Sequence, residues 1–303
     1  MMNPMKTAAV QLEGVSKSFG AVNAVTNLSL TVQAGEVVAV LGPNGAGKTT
    51  AISLMLGLRS PDVGSAKIFG RDPRDATARD RIGVMLQDSD VPSTLRVSEI
   101  VELIGRYYPQ PLSVATALEI ADLSDKANAL ASSLSGGQKK RLCFALSVIG
   151  NPDVLFLDEP TAALDVEARR GFWEQVSGFA AQGKTIILTT HYLEEADALA
   201  QRIVVINQGE IVAQGTPAAI KARVGGKIVR FKLRGASAST LEAIPNVSRS
   251  SVTGDAVELF TSQPETVLRE VFSRNLEITD LEVKGGGLEE AFIELTSSQT
   301  ARG

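Results

Sequence analysis

The uninterrupted apolar run Val37-Val38-Ala39-Val40-Leu41 ends on Gly42-Pro43-Asn44-Gly45-Ala46-Gly47-Lys48-Thr49. A short strand with no polar break suits a parallel sheet covered on both faces. Helical spacing resumes at about Lys48 and runs to Leu56. The glycine loop therefore lies where a helix N-terminus offers free N–H groups and the positive end of its dipole. The loop fits G-x-x-x-x-G-K-[ST]: glycines let amides turn inward around a polyphosphate, the lysine adds a point charge, and the hydroxyl reaches Mg²⁺. Strand, loop and helix together commit the chain to an α/β fold that holds a nucleoside triphosphate at a strand end. Lys48 is expected on the β- and γ-phosphates, and Thr49 on the metal.

Further strand-like runs at 154–157, 185–188 and 203–206 alternate with helical stretches, and the first of them ends in a carboxylate pair. Pro160 forbids smooth continuation of that run, so Asp158 and Glu159 stand at the carboxyl edge, where α/β sheets bind ligands. A fixed hard oxygen for Mg²⁺ and a second carboxylate near an attacking water are what hydrolysis needs there. A solvated loop would also carry such a pair. The run at 185–188 leads through two threonines to His191, the only histidine of the chain. A lone histidine excludes a histidine-cluster metal site and is most often structural. Gln87 stands at another strand end, after 82–86. Ser135-Gly136-Gly137 precedes a helix whose inward face reads as Leu142, Ala145, Leu146 and Ile149. Ser135 suits an N-cap, and two glycines leave the helix-start amides open to an anion. A capped structural helix would read the same way.

The 303 residues suffice for one large domain and a small one. A net charge of −4 argues against nucleic acid or anionic lipid as a primary partner. The single cysteine, Cys143, sits in an apolar helical pattern and reads as a buried thiol. No apolar run approaches the ~20 residues needed to span a bilayer, and the opening Met1-Met2-Asn3-Pro4-Met5-Lys6 lacks a signal-peptide core. The expectation is a cytoplasmic chain that meets the membrane only through a partner. Between 95 and 133 apolar residues recur at helical spacing, which predicts a helical subdomain over about 95–150 within a domain at 9–224. After Gly225-Gly226 the order strand, short helix, two strands, helix, strand predicts a small α+β, ferredoxin-like domain at 225–303, with a turn at Gly254-Asp255. Gly285-Gly286-Gly287 then leads into a last helix carrying Leu288, Ala291, Phe292 and Leu295.

The loop at 42–49, Leu134-Ser135-Gly136-Gly137-Gln138 and Leu155-Phe156-Leu157-Asp158-Glu159-Pro160, in that order, resemble the ATP-binding subunit of an ABC (ATP-binding cassette) transporter. The resemblance spans about 9–215 and six motifs. It implies an ATPase that takes ATP and Mg²⁺ in a P-loop NTPase fold. Gly42, Pro43, Asn44, Gly45, Ala46, Gly47, Lys48, Thr49 and Thr50 would cradle the phosphates, with Thr49, Gln87 and Asp158 around the metal. By the same resemblance Glu159 polarises water, His191 contacts the γ-phosphate, and Phe19 stacks on adenine where the family usually has tyrosine. Ser135, Gly136, Gly137 and Gln138 match the signature sequence, which in the family covers a γ-phosphate held by the other subunit of a head-to-tail homodimer. Asp165 matches a loop running along that interface, although Ala162 stands where many relatives have serine. The tail 288–296 resembles ATPases of the drug-resistance, nodulation-factor and lipopolysaccharide export groups, which pair with an ABC-2 type permease. An ATPase acting on ribosomes or DNA, and an importer ATPase, remain the alternatives.

Overall fold

The computed structural model describes residues 7–87, 91–162, 164–223, 226–234, 241, 244–274, 276–285 and 287–297. The chain divides into two compact units, Met1–Thr216 and Pro217–Gly303.

In the first unit the predicted apolar runs become β3 (Val37–Leu41), β6 (Val154–Asp158), β7 (Thr185–Thr189) and β8 (Arg202–Asn207). With β5 (Ile82–Met85) and β9 (Glu210–Gly215) they form one six-stranded sheet, ordered β5-β6-β7-β3-β8-β9. Every pairing from β5 to β8 is parallel, and β9 closes the edge antiparallel. Both faces are apolar, since β3, β6 and β7 are buried at every position. This is why no alternation shows in their sequence. The parallel strands all point their carboxyl ends to one edge, and the loops leaving that edge carry the residues singled out above.

A second sheet was not anticipated. The long strands β1 (Ala8–Phe19) and β2 (Val22–Gln33) pair antiparallel and are joined by β4 (Val63–Ile68) in the order β2-β1-β4. The signal was present as alternation, with Val10 and Leu12, then Leu28, Leu30 and Val32, facing the core. Helix α1 (Lys48–Met55) contacts both β1 and β6, and its Ala51, Ile52, Leu54 and Met55 join one core with residues of both sheets. The helix that presents the glycine loop is thus sandwiched between two sheets.

The predicted helical region holds α3 (Val97–Gly105), α4 (Val114–Ile120) and α5 (Gly136–Val148), after the short α2 (Ala76–Arg79), with two turns of 3₁₀ helix between α4 and α5. Helix α5 contacts α3, α4 and strand β5. It is therefore buried nearly all round, including Cys143, Phe144, Ser147 and Val148. The predicted stripe holds at Leu142, Ala145 and Ile149, but Leu146 is only half-buried. Phe144 meets Phe172 of α6 (Val166–Ala181) edge to face, centroids 5.1 Å apart. Helix α7 (Leu193–Leu199) packs on α6 and β3.

The second unit begins with α8 (Pro217–Arg223) and holds β10 (Lys227–Leu233), β11 (Arg249–Thr253), β12 (Ala256–Thr261), α9 (Pro264–Ser273), β13 (Ile278–Gly285) and α10 (Leu288–Ser297). Its sheet runs β11-β12-β10-β13 with every pairing antiparallel. That strand order is the one a split βαβ unit produces. Gly254, at φ 62°, makes the predicted turn between β11 and β12. Val229, Phe231, Val257, Leu259, Val267 and Val271 form the core, whereas Phe272 is exposed. In α10 Leu288 and Ala291 are buried, while Phe292 and Leu295 are half-buried. The short helix expected between the first two strands falls in a stretch of which 235–240 and 242–243 lie outside the described residues. The opening 1–6, Ala163, Gly225 and Gly286 also lie outside the described residues.

Helix α5 approaches β5 so closely that a Cβ on Gly83 would stand 1.9 Å from the Ser147 carbonyl oxygen and 2.9 Å from Pro152. Backbone cannot yield as a side chain can. Gly83→Ala is expected to destabilise the fold by about 3 kcal/mol, the upper end for overpacking. An unchanged denaturant midpoint would show that the helix stands off the sheet.

Candidate nucleotide-binding site

Strand β3 delivers the chain to Gly42, where a Cβ would lie 2.3 Å from the Ile206 carbonyl of β8. Gly45 and Gly47 follow with φ of 80° and 103°, a region that side chains rarely adopt. Gly47 is doubly constrained, because its Cβ would also come within 2.3 Å of the Ala24 carbonyl. The loop is held from outside by the Gly209 N–H, which donates to the Ala46 carbonyl at 2.9 Å. Gly47 caps α1 and no side chain satisfies the first-turn amides, which leaves those donors for a ligand.

Lys48 turns back over its own loop and donates from Nζ to the carbonyls of Gly42 at 2.8 Å and Pro43 at 3.1 Å. Burial lowers its pKa, and the carboxylates of Glu159 and Asp158 oppose that shift. Desolvation thus outweighs the attraction of those two carboxylates, a deficit that an incoming polyphosphate would remedy.

Residues 44–50 line a cavity of about 590 Å³ together with Val22, Ala24, Gln87, Glu159 and His191. That size suits a small-molecule site. Asp158 lies beneath, only 4% exposed, where it accepts a hydrogen bond from the Thr189 hydroxyl. The next residue, Glu159, has φ of 47°, a left-handed turn unusual outside glycine. Its N–H donates to both the carbonyl and the hydroxyl oxygen of Thr189, each at 3.1 Å. The Glu159 carboxylate then stands 3.5 Å from Nδ1 of His191. Gln87 reaches the same cavity from β5, and its carbonyl accepts from Nζ of Lys140 on α5 at 3.1 Å.

Thr49, Gln87 and Asp158 offer only oxygen ligands, and the first two face the cavity. Such a set fits Mg²⁺, which keeps several waters and binds through few protein oxygens plus phosphates. Among the described residues no group of three or more His, Cys, Asp or Glu could hold a metal by itself.

Other predicted site residues stand outside this cavity. Ser135 caps α5 as expected: its hydroxyl accepts from the Gln138 N–H at 3.3 Å, and Oε1 of Gln138 accepts from the Ser135 N–H at 3.0 Å. Around a Cβ on Gly136 there would be open space. Asp165 caps α6 by accepting from the Ala168 N–H at 2.8 Å. Phe19 is 40% exposed, with the Arg59 guanidinium 4.9 Å from its ring centre. Two residues that knit the site were missed. In sequence Thr189 is only a hydroxyl at a strand end, and Glu195 is one of two adjacent glutamates that the pattern does not distinguish. In the fold Glu195 is fully buried and Glu194 exposed.

A parallel-sheet edge bearing a glycine loop, a buried aspartate, a glutamate and a histidine defines a nucleoside-triphosphate hydrolase of the P-loop class. The model of the ABC transporter family matches residues 25–162. The Nod factor export ATP-binding protein I of Burkholderia lata is 37% identical over 307 residues, covering 97% of this chain and 99% of its own. The ATP-binding cassette MJ0796, solved as a dimer in a post-hydrolysis state with ADP and Pi, superposes with a TM-score of 0.62 at 28% identity. The match covers 68% of this chain and 98% of that one. cbiO1 from Clostridium perfringens, part of the ABC transporter complex cbiONQ, gives 0.65 at 26% identity, covering 72% and 92%. The chain belongs to the ABC transporter family as an ATP-binding subunit, and it is an ATPase.

Because Gly47 combines a left-handed backbone with a carbonyl at contact distance, Gly47→Ala should displace the loop and leave both sheets intact. ATP affinity, read by calorimetry, is expected to fall at least about tenfold, equivalent to ~1.4 kcal/mol. Retained affinity would show that the loop tolerates a side chain there.

Proposed function

We propose that two copies of this chain close head to tail around two Mg-ATP and that closure drives a separate ABC-2 type membrane permease, in an export system. The observation that carries the shared site is the placement of Ser135-Gly136-Gly137-Gln138. This helix start does not line the cavity of its own Lys48, and the space around Gly136 is open. Its amides are then available to a γ-phosphate held by a second copy, in a two-fold arrangement. The dimeric MJ0796 cassette supports that geometry. Asp165 would lie along the same interface. The export reading rests on the Nod factor export relatives, whose likeness runs through the second unit as well. Among the described residues no helix is long and apolar enough to cross a membrane. Placement at the cytoplasmic membrane face therefore depends on the permease.

In this reading the amides of 42–50 and the Lys48 ammonium hold the phosphates, and Phe19 meets the adenine. Thr49, Gln87 and Asp158 would hold Mg²⁺, which supplies charge neutralisation on the phosphates when bound. Glu159 accepts the proton of the attacking water, and His191, beside it, contacts the γ-phosphate. Hydrolysis then relies on positioning and charge stabilisation rather than on covalent catalysis.

Glu159→Gln keeps the side-chain shape but removes the base. Turnover is expected to fall about 10²–10⁴-fold, the usual range for general-base loss, while ATP binding persists and holds dimers closed. Phosphate release and size-exclusion profiles with and without ATP read both. Near-normal hydrolysis would reject the role of Glu159, and a monomer under all conditions would reject the shared sites.

A further inference from the structure

Glu195 has no place in the chemistry just described, yet it is 0% exposed in the first turn of α7. A buried carboxylate is expensive unless several donors meet it, and here they come from separate elements. The Thr161 hydroxyl, just past Glu159-Pro160, stands 3.3 Å from both of its oxygens. The Trp173 indole N–H on α6 donates to Oε1 at 3.2 Å. The Thr190 hydroxyl, just past β7, also favours its charged form. Burial nevertheless pushes the Glu195 carboxyl up, against those bonds and the positive charge of Arg169.

Two of these contacts bear on the reacting groups. Thr190 accepts from the Tyr192 N–H at 2.9 Å, so the hydroxyl that favours the Glu195 carboxylate also closes a turn around His191. The Tyr192 ring is packed on one side by the His191 imidazole, centroids 4.0 Å apart, and the Arg169 guanidinium lies 3.7 Å from its centre. Arg169, one helical turn from Trp173, donates to the Leu164 carbonyl at 3.4 Å, and its Nε finds no acceptor although it is buried. Thr161 meanwhile ties the segment that leaves Glu159. One side chain therefore reaches both segments that carry the pair 3.5 Å apart.

We propose that Glu195 is a positioning residue for ATP hydrolysis: by binding Thr161 and Trp173 from behind the site and starting α7 directly after the His191 turn, it sets His191 against Glu159. The loop after β6, the start of α6 and the His191 turn then move as one body, so a displacement of the Asp165 cap reaches the histidine through α6 and Glu195. The inference rests on Glu159 and His191 acting at the γ-phosphate.

Glu195→Ala leaves the Thr161 and Trp173 donors without their acceptor, and a small misplacement of a reacting group costs up to about 10²-fold. The expected result is a 10–100-fold lower kcat per folded molecule, with ATP affinity unchanged by equilibrium binding. Glu195→Gln, which keeps an acceptor in the same volume, should recover much of the loss. The double variant with His191→Ala should be no slower than His191→Ala alone, since Glu195 acts through that residue. Full kcat in Glu195→Ala, or losses that multiply in the double variant, would overturn the proposal. Should Glu195→Ala fail to fold, Thr161→Val and Trp173→Phe each delete one donor, and full kcat with both would overturn it equally. Glu159→Gln assayed alongside keeps the two ideas apart. If it retains turnover, the catalytic reading fails; if it is silent while Glu195→Ala is fully active, only the positioning of His191 by Glu195 fails.

Discussion

The side chain of Thr189 joins two parts of the candidate site. Its hydroxyl donates to the buried Asp158 carboxylate and accepts from the N–H of Glu159. Both bonds exist because β6 and β7 pair in parallel with Asp158 opposite Thr189. A slip of one residue in that register would turn Asp158 to the other face of the sheet and leave a carboxylate buried without its donor. The left-handed turn at Glu159 can persist only because its N–H is held twice by the neighbouring strand. Such backbone is tolerated where the surroundings over-determine it, and it is common at functional sites.

The charges follow from the same frame. Lys48 is kept desolvated under its own loop carbonyls while two carboxylates approach from β6, so burial outweighs attraction and the ammonium is destabilised as it stands. A polyphosphate entering the cavity supplies the anion the site lacks and makes use of α1 amides that no side chain caps. Binding and electrostatic relief are one event. The helical region is linked to this centre through Lys140 and the carbonyl of Gln87.

Much of the core sheet was legible in the sequence because buried parallel strands are apolar throughout, and their ends were marked by Gly42, Asp158, His191 and Gln87. The antiparallel sheet of β1, β2 and β4 was overlooked, since bulges interrupt the alternation along β1 and blur its period. Helix α5 buries more than the single stripe its spacing predicts, because a helix wedged among α3, α4 and β5 is covered on nearly every side. Glu195 was invisible for a related reason. In sequence it is one of two glutamates at a helix start, and only the packing of α7 on α6 turns one of them inward.

The order of residues alone sets the chemistry available: a loop that must leave its amides bare, a carboxylate pair behind an apolar strand, and one histidine. These are local, because glycine spacing and strand-end identity act within a few residues of chain. The tertiary structure alone decided which of these groups meet. Parallel pairing brings residues more than a hundred positions apart to one edge of a sheet, and packing from behind selects Thr189 and Glu195 to hold them there. Such distances are fixed by hydrogen-bond register and by burial, which no short stretch of residues contains.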